Sequence, residues 1–280
     1  MQFLLHIYRW IWARPALKRI NEHFFKLSLR GLGILNSEGP MVTGEAWFLR
    51  ELANSGEIKT IVDVGANTDV YGVAELPNAQ IFAFEPHPQT VKMLRANLKK
   101  EHHTNVKVLE MALSDSAGSM ELWDFADSAE KKHTQPTATL SSLNKQVIEG
   151  LHQQEAQGFT VKVESLDRMA KTLQLETIDL LKIDTEGYEF KVLLGAKRLL
   201  RAGKIRVIQF EFNEMNIYTR TFMKDFIDLL QEYNFYRLLP SGLLPLGEYR
   251  PLTHEVFGFQ NIVALRKQGP LTSRFATIQQ

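Results

Sequence analysis

The chain has 280 residues, a formal net charge of +1 and no cysteine. Its length suits one large domain or a domain with an extension, and the balanced charge excludes the broad basic field of a nucleic-acid-binding protein. The absence of cysteine excludes a disulfide framework, a cysteine nucleophile and a thiolate metal site. We expect a cytoplasmic protein, because a chain without disulfides fits a reducing compartment.

Residues 1–45 are predicted to form a basic, aromatic helical extension of a main domain at 46–280. Glu22 is the only acid among the first 35 residues. The basic residues in the same stretch are Arg9, Arg14, Lys18, Arg19, Lys26 and Arg30. One interpretation is a helix that lies on a membrane surface without spanning it. The other is a helical cap packed on the main domain, or a dimer contact. The oligomeric state stays open.

Strands and helices alternate after the extension. The predicted strands lie at residues 60–65, 79–86, 105–113, 177–184 and 205–212, with late strands at 235–240 and 261–267. The predicted helices lie at residues 44–58, 88–100, 189–203 and 221–233. This order predicts an α/β fold with a doubly wound, mostly parallel sheet. The strand at 177–184 is almost continuously apolar, which predicts burial on both of its faces.

A polar segment at residues 124–158 separates the third and fourth predicted strands. It is long for a connection within a compact domain, so we interpret it as a lid or binding loop, or as a locally disordered stretch. We expect this variable segment to carry part of the acceptor specificity.

Polar or acidic residues lie at or just beyond the carboxyl end of each of the first five predicted strands. In chain order they are Asp63, Glu85, Ser114 with Asp115, Asp184 with Glu186, and Glu211 with Asn213. Ligands of doubly wound sheets bind beyond the carboxyl ends of the strands. The repetition therefore predicts a functional site on that rim of the sheet.

The first strand runs into Gly65, and Glu85 follows twenty positions later. An acid at that spacing accepts hydrogen bonds from ribose hydroxyls. The turn GANTDV lacks the G-x-G-x-x-G pattern of a dinucleotide site, and Asp69 would repel a pyrophosphate. These features favour a nucleoside cofactor without phosphate, such as S-adenosylmethionine, over a nicotinamide dinucleotide.

Six stretches between Ile61 and Glu214 follow a recognisable pattern. They are VDVGAN, IFAFEPHP, NVKVLEMALSDSAG, VESLD, DLLKIDTEGYEFKVLLGA and IQFEF, and NIVALR adds a late match. Together they resemble the FkbM-type family of class I S-adenosylmethionine-dependent methyltransferases. The resemblance implies a Rossmann-like methyltransferase sheet with a late antiparallel strand.

The same resemblance implies roles for individual residues. The cofactor-binding residues would be Asp63, Gly65, Ala66, Asn67, Glu85, Ser114 and Asp115, with Glu85 on the ribose and Asp115 on the adenine amino group. The catalytic residues would be Asp184, Glu186 and Glu211, with Asp184 or Glu186 as the general base. The implied reaction is O-methylation of a hydroxyl on a sugar or glycoconjugate. No metal ligand is assigned, although a variant has Asp184 and Glu211 holding Mg²⁺.

One alternative function stays open at this point. Asp69 stands where the family usually has glycine, and the run from there to the second strand is short. The alternative is a catalytically impaired protein that keeps the methyltransferase fold and has a binding or membrane-associated role. His254, in a late loop, is a further candidate base.

Overall fold

The computed structural model describes residues 2–126 and 141–278, with side chains described as far as Phe275. The helices are α1 (Gln2–Trp12), α2 (Lys18–Gly31), α3 (Pro40–Thr43), α4 (Glu45–Ser55), α5 (Pro88–Lys100), α6 (Leu166–Thr172), α7 (Glu189–Leu194), α8 (Lys197–Arg201), α9 (Met215–Thr219), α10 (Met223–Leu229), α11 (Pro251–His254) and α12 (Pro270–Ile278). A 3₁₀ turn at Pro15–Leu17 joins α1 to α2, and a π-helical turn lies at Val147–Leu151.

The strands form two sheets. They are β1 (Thr60–Val64), β2 (Gln80–Phe84), β3 (Val106–Leu109), β4 (Ala112–Leu113), β5 (Gly118–Phe125), β6 (Ala156–Glu164), β7 (Ile178–Ile183), β8 (Ile205–Phe212), β9 (Tyr233–Leu239), β10 (Gly242–Pro245) and β11 (Gln260–Arg266). The main sheet has the order β10-β9-β11-β8-β7-β1-β2-β3, and β4, β6 and β5 form a smaller sheet.

The main sheet has the predicted doubly wound, mostly parallel architecture. Strands β3, β2, β1, β7 and β8 are parallel neighbours, and β11 runs antiparallel between β8 and β9. Every residue of β7 is buried, as its apolar sequence predicts. One face of the sheet packs against α4, α5 and α12, and the other against α6, α7 and α10. The carboxyl ends of the parallel strands therefore meet on one rim, between two helical layers.

Two predicted elements are wrong in their boundaries. The stretch predicted as a third strand at 105–113 divides into β3 and β4, which belong to different sheets. The helix predicted at 189–203 divides into α7 and α8 around Gly195, where an added Cβ would lie 2.0 Å from the carbonyl oxygen of Ser114. Close approach of a neighbouring backbone therefore accompanies this break.

The segment predicted as a long loop at 124–158 is shorter than expected. Residues 124–125 end β5, and residues 156–158 begin β6. The two strands are antiparallel, and every residue of β5 has a partner in β6. Residues 127–140 lie outside the described part of the chain. Strands β5 and β6 have few buried positions, so neither contains the continuous apolar run that marks β7.

The extension is helical as predicted, and neither α1 nor α2 contains a buried residue. Gly33 and Ile34 are the first buried residues in the described part of the chain, and the backbone N–H of Leu35 donates to the carbonyl oxygen of Phe259. Among the described helices, none has both the length and the apolar character needed to cross a bilayer.

Candidate active site

The turn after β1 is held against both neighbouring strands. The backbone N–H groups of Gly65 and Ala66 donate to the carbonyl oxygen of Phe84, at 2.9 and 3.1 Å. Gly65 has a φ of +82°, and a Cβ added there would lie 1.7 Å from the carbonyl oxygen of Asp184. Only glycine fits between β2 and β7 in this left-handed conformation.

We expect Gly65→Ala to destabilise the chain more than Gly72→Ala does. Both glycines have positive φ, but the added Cβ of Gly72 would meet a movable methyl group of Leu49 at 3.0 Å. Overpacking against backbone should add about 1–3 kcal/mol to the conformational cost that the two substitutions share. Urea unfolding of both variants measures the difference, and equal losses would show that the contact with Asp184 is relaxed at no cost.

Glu85 follows β2 and is buried, as a cofactor-binding acid requires. Its Oε1 accepts the backbone N–H of His87 at 2.9 Å, and its Oε2 accepts that of Asn67 at 3.0 Å. Burial raises the pKa of Glu85, and the two N–H donors oppose that rise. Each carboxylate oxygen retains one lone pair, so the group can also accept two hydroxyls of a ligand.

A cleft of about 650 Å³ opens beside Glu85. It is lined by Val64, Gly65, Asn67, Phe84, Glu85, Pro86, Ala112, Leu113, Leu122, Ser141, Leu143, Asp184, Thr185 and Glu186. Apolar walls with a few convergent polar groups are typical of a small-molecule site. We call this space the nucleoside cleft, because Glu85, the acid predicted to bind a ribose, lines it.

Four residues predicted to contact the cofactor do not line this cleft: Asp63 and Ala66 line the neighbouring cleft described below, and Ser114 and Asp115 line neither. Ser114 is buried, and Asp115 accepts a hydrogen bond from Lys191 Nζ at 2.8 Å. The ammonium of Lys191 lowers the pKa of Asp115. At this part of the cleft the wall is formed by Ala112, Leu113 and Leu122. Contact of Asp115 with the adenine stays a prediction.

A second cleft of about 1060 Å³ adjoins the first and shares Gly65, Asn67 and Asp184 with it. Its acidic lining consists of Glu45, Asp63, Asp69, Glu75, Glu101, Asp184 and Glu211. Among the described residues that line it, Lys182 is the single cation. We call this space the acidic cleft. Its carboxylates favour a cationic or neutral ligand over an anionic one.

A row of polar side chains crosses the floor of the acidic cleft. Asp63 of β1 is in register with Lys182 of β7, and Lys182 is in register with Gln209 of β8. All three are buried within otherwise apolar strands. Since side chains in register share a face, the sheet itself brings them together.

Lys182 is held by carboxylates from two elements. Its Nζ lies 3.3 Å from Asp184 Oδ2 and 3.6 Å from Glu45 Oε1 of α4. Burial opposes its charge, but Asp184, Glu45 and Glu211 outweigh that effect and hold the pKa of its ammonium above the ordinary value. The ammonium therefore stays charged at neutral pH and fixes Asp184 at the junction of the two clefts.

Gln209 and Tyr71 extend this network. Gln209 Nε2 donates to Glu45 Oε1 at 2.9 Å, and Tyr71 donates from its hydroxyl to Gln209 Oε1 at 2.6 Å. The backbone N–H of Tyr71 donates to Asp63 Oδ2 at 2.9 Å, while burial raises the pKa of Asp63 to about 7. The short run between β1 and β2 thus reaches the floor of the cleft through Tyr71.

The run that contains Asp69 has turns and no regular helix between β1 and β2. Asp69 is exposed at the margin of the acidic cleft, whereas Val70, Val73 and Leu76 of the same run are buried. The shortened connection therefore packs on the core, and it leaves the glycine turn and its contacts with β2 in place.

The predicted catalytic acids Asp184, Glu186 and Glu211 divide between the clefts. Asp184 lines both clefts, Glu186 lines the nucleoside cleft and Glu211 lines the acidic cleft. Burial, followed by the charge of Asp184, raises the pKa of Glu186 and of Glu211 well above the ordinary value. A raised pKa disfavours the ionised carboxylate that a base requires.

Glu189 supports the turn that carries Glu186. Its Oε1 accepts from the backbone N–H of Thr185 and of Gly187, at 3.0 and 3.1 Å. Glu186 itself has a φ of +54°, which a residue with a side chain rarely adopts. Glu189 therefore stabilises this turn. Although it lies only three residues after Glu186, it lines neither cleft.

The geometry supports neither a metal site nor the role of His254 as a catalytic base. Within residues 2–126 and 141–278, no group of three or more His, Asp or Glu side chains could hold a metal ion. His254 is buried and shares hydrogen bonds with Arg250 and Thr253, neither of which lines a cleft. Burial lowers the pKa of His254.

Lys182, Gln209 and Glu45 were not predicted as site residues. One signal in the sequence could have found two of them, because Lys182 and Gln209 are isolated polar residues within buried apolar strands. A polar residue in such a strand needs a partner. Glu45 gives no comparable signal, since an acid in the first turn of a helix is common.

These features suit a phosphate-free nucleoside, since the turn between Gly65 and Val70 has no glycine-rich phosphate cradle and the adjoining cleft is acidic. The molecule thereby falls in the class of Rossmann-like domains that act with a nucleoside cofactor. The Methyltransferase FkbM domain matches residues 63–237, more than half of the chain. The chain belongs to the FkbM methyltransferase family and is an S-adenosylmethionine-dependent methyltransferase.

Curated relatives are consistent with that family. The chain is 27% identical over 198 residues to 2-O-methyltransferase NoeI of Sinorhizobium fredii, covering 65% of this chain and 75% of NoeI. It is 32% identical over 164 residues to methyltransferase sdnD of Sordaria araneosa, covering 52% of this chain and 63% of sdnD. It is 25% identical over 168 residues to hexuronic acid methyltransferase AglP of Haloferax volcanii, covering 59% of this chain and 62% of AglP.

Proposed function

We propose that the chain methylates a hydroxyl oxygen of a neutral sugar or glycoconjugate. The observation that carries this proposal is the position of Asp184, which lines both the nucleoside cleft and the acidic cleft. A carboxylate at that junction can accept the proton of a hydroxyl bound in the acidic cleft. The names of NoeI, a 2-O-methyltransferase, and AglP, a hexuronic acid methyltransferase, support a sugar acceptor.

The residues of the nucleoside cleft fit the family's cofactor. Glu85 would accept the ribose hydroxyls with its remaining lone pairs. Gly65 and Asn67, which line both clefts, would contact the amino-acid moiety, together with Asp63 of the adjoining acidic cleft. When bound, S-adenosylmethionine supplies an electrophilic methyl group on a cationic sulfonium. The surrounding carboxylates favour that positive charge.

The acidic cleft holds the other reactant. Its carboxylates accept hydrogen bonds from hydroxyl groups, which sugars offer in number. Lys182 Nζ lies 3.3 Å from Asp184 Oδ2 and holds that carboxylate at the junction of the two clefts, where Asp184 can take the hydroxyl proton. Glu211, which lines the same cleft and whose pKa burial raises, can form a hydrogen bond with another oxygen of the sugar.

We expect methyl transfer to a neutral hexoside to exceed transfer to the matching hexuronide at least about tenfold, because like charges juxtaposed in a binding site cost several kcal/mol. Methyl-labelled S-adenosylmethionine and paired acceptors measure the two rates. Label that survives mild base lies in an ether, whereas label released by base lies in a carboxyl ester. Preference for the hexuronide, or transfer only to its carboxylate, would refute a neutral hydroxyl acceptor.

A further inference from the structure

The first two helices expose an extended apolar surface that the rest of the described chain does not cover. The exposed fractions of the large apolar residues range from 41% to 75%. These residues are Phe3, Leu4, Leu5, Ile7, Tyr8, Trp10, Ile11, Ile20, Phe24, Phe25, Leu27 and Leu32. We call α1, α2 and the turn between them the N-terminal helical pair. A patch of this kind marks an interaction surface.

The helical pair is itself organised. Asn21 Nδ2 donates to the carbonyl oxygen of Trp12 at 2.9 Å, and the rings of Trp12 and Phe24 meet edge to face at 6.2 Å. Since both helices are fixed to each other through these contacts, their exposed side chains present one continuous element to a partner.

Each helix is amphipathic. In α1 the polar residues Gln2, His6 and Arg9 fall on one narrow stripe, and every other residue is apolar. In α2 the apolar stripe Ile20, Phe24 and Leu27 borders a stripe that contains Arg19, His23, Lys26 and Arg30. Apolar and aromatic residues bordered by cations are the pattern of a helix that lies in a membrane interface.

The charge of this region is opposite to that of the remaining chain. Its basic residues are Arg9, Arg14, Lys18, Arg19, Lys26 and Arg30, and Glu22 is its one acid. Because the whole chain is only +1, the remainder is net acidic. Of the basic residues, Lys18 pairs with Glu22 and Arg30 with Glu38. The Arg14 guanidinium lies 4.8 Å from the centre of the Trp10 ring.

We propose that the N-terminal helical pair docks on the surface of a bilayer that contains anionic lipids. The apolar faces enter the acyl boundary, and the basic stripe meets the headgroups. Two helical pairs placed face to face would bring like charges together, which disfavours a second copy of this chain as the occupant. Membrane docking would place the methyltransferase at a bilayer surface, and this proposal does not depend on the proposed sugar acceptor.

The full chain should float with vesicles that contain about 30% phosphatidylglycerol in phosphatidylcholine, and much less with phosphatidylcholine alone. The double variant Arg19→Glu with Lys26→Glu should lower the partition coefficient at least about tenfold, because it reverses the charge of the basic stripe. Flotation in a density gradient separates bound protein from aggregates, which sink.

A matched control reverses two exposed lysines on the main domain, Lys92→Glu with Lys107→Glu, and should float like the parent chain. A second pair, Phe3→Ser with Ile7→Ser, should lose binding to both kinds of vesicle. Equal flotation of the parent and Arg19→Glu/Lys26→Glu chains would overturn the proposal. Failure of the parent chain to float would also overturn it. So would a parent chain that does not float and that light scattering shows to be a dimer, if Phe3→Ser with Ile7→Ser breaks that dimer.

Discussion

Glu85→Ala should raise the Kd for S-adenosylhomocysteine about a hundredfold or more. The carboxylate would lose two hydrogen bonds from ribose hydroxyls, each worth about 1.5–3 kcal/mol because the acceptor is charged. A loss of about 3 kcal/mol corresponds to that change in Kd. Isothermal titration calorimetry on the parent chain and the variant measures the ratio directly.

Two matched variants show whether the loss comes from the ribose contact. Glu232→Ala removes an exposed acid of the main domain that lines neither cleft, and it should leave Kd nearly unchanged. Glu85→Ala also removes the acceptor of two backbone N–H groups, so its thermal unfolding must be compared with that of Glu85→Gln. If a folded Glu85 variant binds S-adenosylhomocysteine like the parent chain, Glu85 does not hold the ribose.

The sequence was informative wherever one strand and its following turn decide the outcome. The positions of Gly65 and Glu85, directly after β1 and β2, could be predicted because a glycine turn, a strand and a fixed spacing recur together. Burial of β7 followed from its continuous apolar residues. Helix α5 begins at Pro88 as predicted, since proline fits the first turn of a helix and His87 Nδ1 accepts the backbone N–H of Gln89.

The floor of the acidic cleft could not be predicted in the same way. Lys182, Gln209 and Glu45 lie far apart in the chain, and their contact depends on the register of β7 against β8 and on the packing of α4. The register between two strands cannot be predicted from a single sequence. The division of residues 105–113 into two strands has a related cause, because its apolar residues continue across the point where the chain changes sheets.

Asp184 is distinguished from its neighbours by its electrostatic surroundings. Burial raises the pKa of Glu186 and of Glu211, whereas Asp184 forms an ion pair with Lys182, whose Nζ lies 3.3 Å from Asp184 Oδ2. About a third of the Asp184 side chain is exposed, at 34%, so that carboxylate can reach a bound reactant. Position and charge together favour Asp184 over Glu186 as the general base.

Asp184→Asn should lower kcat about a hundredfold or more while the Kd for S-adenosylhomocysteine changes little. Asparagine keeps the shape of the side chain but cannot accept the hydroxyl proton, and a positioned base contributes about 10²–10⁴-fold. Lys182 retains Glu45 as a partner at 3.6 Å, so the fold should tolerate the change. Initial rates of methyl transfer and calorimetry on the same preparation give both quantities.

The control must remove one negative charge from the same cleft without removing the base. Asp69→Asn does so, since Asp69 lines the acidic cleft and is exposed. An exposed charge contributes about 0–1 kcal/mol, so kcat should fall less than about fivefold. Equal losses of kcat in the two variants would mean that the negative charge of the acidic cleft supports catalysis and that Asp184 does not act as a base. Full activity of Asp184→Asn would remove Asp184 from the mechanism, and the proton would then have to go to another group or to solvent.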